Sequence, residues 1–119
     1  MEIWIQKLLR KKMPRTIERI EREGILNNIF RKKREENFNV LYYSKWDDYS
    51  VKLLEHLDEW VKQAGDETLH IVNSWDLPHS FVAYNVTQVP CLIQSIKGRI
   101  RKTEYLPYIY KSFKNQNRA

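Results

Sequence analysis

One cysteine, Cys91, in 119 residues excludes an intrachain disulfide, a Cys-x-x-Cys redox pair and a cysteine-rich zinc site. Glycine and proline are scarce (3 and 4), and no tract is of low complexity, which argues against wholesale disorder. No run approaches the ~20 apolar residues that span a bilayer. The N-terminus has no continuous apolar stretch of the kind that heads a secretory signal, and no internal repeat is visible. The three histidines show no metal-ligand spacing, so neither metal nor cofactor is expected. With one thiol and no signal, a cytoplasmic protein is expected, folded as one domain around one core.

Charge is plentiful but uneven. The chain carries 21 Lys/Arg against 15 Asp/Glu, a formal net charge of +6. Residues 1–37 hold eleven basic and six acidic side chains; the remaining 82 residues are nearly balanced. The excess clusters at Arg10, Lys11 and Lys12, and again at Arg31, Lys32, Lys33 and Arg34. This asymmetry predicts a basic segment, residues 1–37, attached to a nearly neutral body, residues 38–119.

Hydrophobic spacing predicts helices in the basic segment. Ile5, Leu8 and Leu9 share a face in a first short helix that Pro14 ends. Ile17 and Ile20 suggest a second, rich in alternating Glu and Arg. Gly24 shifts the phase, so a break is expected there, with a third helix continuing to about Arg34.

From Phe38 the pattern becomes that of a strand buried on both faces, "FNVLYYS". Asp47 or Asp48 can cap a helix, and Val51, Leu54, Leu57 and Val61 follow at helical spacing as far as Gly65, with Leu53 and Trp60 widening the stripe. "TLHIVNS" reads as a second strand, and Pro78 opens a short helix over about 79–84. Residues 89–106 read as two strands joined at Lys97-Gly98, and "PYIYKSFKN" as a last helix with Tyr108, Ile109 and Phe113 apolar. The order predicts an α/β fold with a mixed sheet: the first two strands parallel, the hairpin antiparallel.

That order resembles the thioredoxin family over about Phe38 to Asn115. The Trp-Cys-Gly-Pro-Cys motif of thioredoxins falls on Trp46-Asp47-Asp48-Tyr49-Ser50, and the family's cis-proline on Val89-Pro90, at thioredoxin-like spacing. Pro78 matches a proline before the third helix of many thioredoxins, and the hairpin glycine falls near Gly98. The resemblance implies a thioredoxin-like fold with a cis peptide at Val89-Pro90 and a substrate groove beside it. It does not imply the family's chemistry. Exchange needs an attacking thiolate at a helix N-terminus and a second thiol to resolve the mixed disulfide, and these positions hold Asp47 and Ser50. The family's buried acid aligns with Leu41, and the glycine after the last strand with Leu106. Every part of the redox apparatus that aligns is replaced.

Two readings stand for each candidate residue. Asp47 and Asp48 suit either acid/base work or, more plainly, helix capping. Ser50 with His56 or His79 offers a nucleophile and base without supporting spacing. Cys91 is either a groove thiol or a small buried side chain. Trp46, Tyr49 and Val89 are either an aromatic docking surface or fold packing. The basic clusters suit a solvated face, nucleic-acid phosphates, or an anionic surface. Together these features predict a redox-inactive binding or adaptor protein, not an enzyme. It engages a macromolecular partner, protein first and nucleic acid second, through the basic segment and the groove residues Trp46 to Ser50 and Val89 to Cys91. A single-thiol protein using Cys91 and a nucleic-acid accessory factor are the rivals.

Overall fold

A computed structural model of the chain describes residues 16–32, 36–62 and 68–115, with side chains to residue 112. Five strands form one sheet in the order β1-β3-β2-β4-β5. They are β1 (Thr16–Arg19), β2 (Phe38–Tyr43), β3 (Thr68–Asn73), β4 (Cys91–Ile96) and β5 (Arg99–Thr103). β1, β3 and β2 are parallel, and β4 and β5 complete the sheet antiparallel. The helices are α1 (Glu23–Arg31), α2 (Asp48–Glu55), α3 (Leu57–Lys62), α4 (Pro78–Ala83) and α5 (Leu106–Asn115).

The central strand β2 is buried at all six positions, as its unbroken apolar run requires. Its side chains alternate between two cores. Phe38, Val40 and Tyr42 meet Leu26, Ile29 and Phe30 of α1 and Phe81 of α4 on one face. Leu41 faces the other way, with Leu53, Leu57, Trp60 and Ile109 from α2, α3 and α5. Helices therefore cover both faces, and every parallel strand ends at one edge of the sheet.

Three expectations are corrected. Residues 16–19 are a strand, not a helix: β1 pairs in register with β3, and the Ile20 amide extends the ladder to the Ile71 carbonyl at 2.9 Å. Ile17 then packs on one face and Ile20 on the other, so one step of the chain serves both cores where a helix would serve one. The exposed Glu18 and Arg19 suit an edge strand, where charge discourages a further chain from pairing. Gly24 breaks nothing, since it lies in the first turn of α1 and the break falls at residues 20–22. β1 and α1 thus belong to the fold, and a division at residue 37 does not separate them from it.

The long helix predicted from Asp48 is also two. His56 sits between α2 and α3, its amide shared by the Leu53 and Leu54 carbonyls. The buried side is Ser50, Leu53, Leu57 and Trp60, while Val51 is exposed. The residues expected to flank the stripe are its centre, because Trp60 carries the largest apolar surface and takes the core position. Residues 1–15, 33–35, 63–67 and 116–119 lie outside the described residues, so the first helix, Arg10, Lys11, Lys12, Lys33 and Arg34 lie there too; so does the Phe113 side chain.

Candidate partner-binding edge

The carboxyl ends of β2 and β3 release two short turns of similar sequence. Ser44-Lys45-Trp46-Asp47 follows β2, and Ser74-Trp75-Asp76 follows β3. The Ser74 amide donates to the Tyr43 carbonyl at 2.9 Å, which ties the second turn to the end of β2. The pairing of Tyr42 with Cys91 brings the loop before β4 to the same edge, and its Val89-Pro90 peptide bond is cis.

The turn after β2 is closed by its own hydrogen bonds. Asp47 is the N-cap of α2, its carboxylate accepting the Ser50 amide at 2.9 Å. The Asp47 amide donates to the Ser44 carbonyl at 3.1 Å, and the Trp46 amide to the Ser44 hydroxyl oxygen at 3.3 Å. Ser50 is buried, its hydroxyl oxygen accepting the Ser44 amide at 3.2 Å. The carboxylate removes an orphan helix amide and meets the positive end of the helix. Where the family places its thiols, this chain builds a helix cap.

The other candidates separate in the same way. Asp48 is exposed in the first turn of α2, apart from the capping bond that Asp47 makes. Neither Ser50 nor the histidines form a nucleophile–base pair. His56 lies edge-on to Tyr110 at 5.0 Å, and His79 is exposed on α4, across the sheet from α2. Cys91 is fully buried, and burial pushes its thiol up to about 11, with Glu104 adding to the shift and Lys102 opposing it. That is a thiol held protonated, the opposite of an attacking one. Pro90 is buried and Val89 half-buried against the first core. Among the described residues no three His, Cys, Asp or Glu side chains group as metal ligands.

What this edge presents to solvent is aromatic. Trp46 and Trp75 are 74% and 71% exposed, too much for fold packing, and Tyr49 is exposed on the next turn of chain. The Lys45 ammonium lies 5.0 Å from the Trp46 ring centroid and 5.6 Å from that of Trp75, so one cation addresses both indoles. Beside them the Arg19 guanidinium donates to Asp76 at 2.7 and 2.9 Å, tying the end of β1 to the turn after β3. Lys45, Trp75 and Asp76 are not among the residues singled out by sequence. Their signal is a Trp-Asp pair at the carboxyl end of each of two parallel strands, visible only once the strands are known to be neighbours. Arg31 and Lys32 lie elsewhere, at the end of α1; an open hollow of about 370 Å³ bounded by Asn27, Phe30, Arg31 and Tyr84 is also on that side.

No protein-family model matches the sequence, and no curated protein matches it. Solved structures do. Thioredoxin O1 from Arabidopsis thaliana, in its oxidised state, superposes with a TM-score of 0.73 at 15% identity, over 84% of this chain and 96% of that one. Thioredoxin from Schistosoma mansoni gives 0.68 at 14%, covering 84% and 94%. Thioredoxin from Trypanosoma brucei brucei gives 0.70 at 11%, covering 90% and 94%. Identities this low speak to architecture alone, and the architecture is plain: the chain has a thioredoxin-like fold, with a mixed five-stranded sheet flanked by helices.

Proposed function

We propose that this chain is a binding or adaptor protein that uses a thioredoxin-like fold without dithiol chemistry, engaging a protein partner at the edge where Trp46, Tyr49 and Trp75 emerge. The observation that carries the proposal is the Asp47 cap. The position that would need a thiolate holds a carboxylate bonded to the Ser50 amide, while the indoles beside it stand in water. Exposed tryptophan is costly to leave unpartnered and is enriched where proteins bind. The burial of Cys91 weighs against a single-thiol protein, because a neutral, inaccessible thiol neither attacks nor is attacked. A reducing, cytoplasmic setting suits a chain whose one thiol is sequestered.

Photo-cross-linking tests the proposal. A benzophenone side chain at Tyr49 should trap a discrete partner in a lysate of the source cells, and Trp46→Ala with Trp75→Ala should abolish the adduct while leaving the far-ultraviolet circular dichroism unchanged. Adducts that persist in that double variant, or that are equally abundant from a probe at exposed Val82 on α4, would place binding elsewhere.

A further inference from the structure

The sheet stops at β5 on an unpaired edge. β5 is last in the strand order, pairs with β4 in five consecutive steps without a bulge, and is exposed along its first four residues. The turn fixes which main-chain groups point outward. A two-residue turn at Lys97-Gly98 is closed by a hydrogen-bonded pair, Ile96 with Arg99, and such pairs alternate along an antiparallel ladder. Arg99, Arg101 and Thr103 therefore bond to β4, while the amides and carbonyls of Ile100 and Lys102 face away from the sheet. No described residue bonds to these four groups.

The side chains along the edge divide by face. Cross-strand partners share a face, so Arg99 and Arg101 stand on the same side as Ile96 and Gln94. The strand rise sets them about 7 Å apart. Neither arginine forms an ion pair with a described residue. Ile100 stands on the other face with Ser95 and is 49% exposed. Lys102 shares that face, its ammonium donating to the Asn85 carbonyl at 2.7 Å. Residues 97–102 hold four cations and no acid. Glu104, beyond the strand, accepts from the Gln88 side-chain amide at 2.8 Å.

Charge of either sign guards an edge against uncontrolled pairing. The opposite edge, β1, uses both signs, with Glu18 3.8 Å from His70 and Arg19 bonded to Asp76. The β5 edge carries one sign only, and its arginines are not neutralised. It repels its own kind, since two copies paired antiparallel about Ile100 would set Arg99 against Arg101. A strand of opposite sign meets no such barrier.

We infer that β5 accepts, by antiparallel strand addition, an extended segment of a partner protein in which acidic and apolar residues alternate. The four outward groups of Ile100 and Lys102 then each gain a main-chain partner. Carboxylates at every second position of the segment face Arg99 and Arg101, at the closer, non-hydrogen-bonded positions of the ladder. The residue between them falls on the other face, where a β-branched apolar side chain packs on Ile100. The pattern sought is Glu-Val-Glu, not acid alone. A nucleic-acid backbone would meet the charges but leave the four main-chain groups and Ile100 without a match. This edge is separate from the exposed tryptophans and does not depend on the role proposed for them.

Fluorescence anisotropy of the full chain with the labelled peptide TVEVEVT tests the inference. Two controls accompany it: the isomer TVVEEVT, which splits the carboxylates between faces, and TVEVEVT methylated at the amide of its central valine. Each control should bind about tenfold more weakly. Hydrogen exchange on binding of TVEVEVT should slow most at the Ile100 and Lys102 amides. Arg99→Glu with Arg101→Glu should reject TVEVEVT and bind TVKVKVT, a gain that a misfolded chain would not show. Trp46→Ala with Trp75→Ala should bind TVEVEVT as the parent does. Absence of binding at low salt, or affinity for TVEVEVT that survives the charge reversal, would overturn the inference. So would equal affinity for all three peptides with displacement by poly-uridylate, which would assign the edge to nucleic acid.

Discussion

Asp47 accepts the Ser50 amide at 2.9 Å, and Ser50 is itself buried with its hydroxyl oxygen receiving the Ser44 amide. Two residues that resemble a modified active site when read in a line are thus occupied with each other and with the turn. Asp47→Ala should lower stability by about 1 kcal/mol, the usual loss of an N-cap, with Asp47→Asn close to the parent; denaturant midpoints at constant slope would measure both. Cys91 was harder to place from sequence, since a strand start beside a cis-proline is compatible with a groove or a core; its pairing with Tyr42 decides for the core. His70 gives a pH dependence. Burial lowers its pKa, Glu18 opposes with its carboxylate 3.8 Å away, and the unfolded chain therefore takes up the proton first. The His70 contribution is present above about pH 6.5 and is lost as pH falls below it. His70→Gln should flatten this part of the acid limb of a melting curve; an unchanged slope between pH 7 and pH 5 would contradict the assignment.

At the scale of elements, β2, β3, α4, the hairpin and α5 were legible because each has a local signal: a β-branched run, a proline, a turn pair or an amphipathic stripe. β1 was not. Four residues, Thr-Ile-Glu-Arg, fit a solvated helix as well as an edge strand, and only the partner strand β3 breaks the tie. The division at His56 was hidden for a related reason, because Leu54 and Leu57 look continuous until Trp60 must be buried. The hairpin turn is the most exacting local element. Lys97 and Gly98 both have positive φ, 53° and 82°, the paired left-handed conformation of a two-residue turn that matches strand twist. A Cβ at Gly98 meets nothing within 4 Å, so the penalty of Gly98→Ala is conformational: about 1–2 kcal/mol, seen as a lower melting temperature. Gly98→Asn, which tolerates this region better, should recover part of it.

For the whole molecule, the parallel strands β1, β2 and β3 finish at the edge where Trp46, Tyr49 and Trp75 are exposed. That edge was partly legible through Trp46, Tyr49 and Val89-Pro90. Because β1 and α1 are structural, a version beginning at residue 38 would lose an edge strand and the cover over Phe38 and Val40. Such a truncation should not fold, and circular dichroism would show it; only point substitutions test binding cleanly.

In this thioredoxin-like fold a helix cap stands where a nucleophile would be. Insulin disulfide reduction with dithiothreitol as external reductant tests it most directly. The expected rate equals that of reductant alone and is identical for the parent, for Asp47→Ala and for Cys91→Ser. Turnover above that background in the parent, abolished by Cys91→Ser, would contradict it and make the buried thiol the working group of the protein.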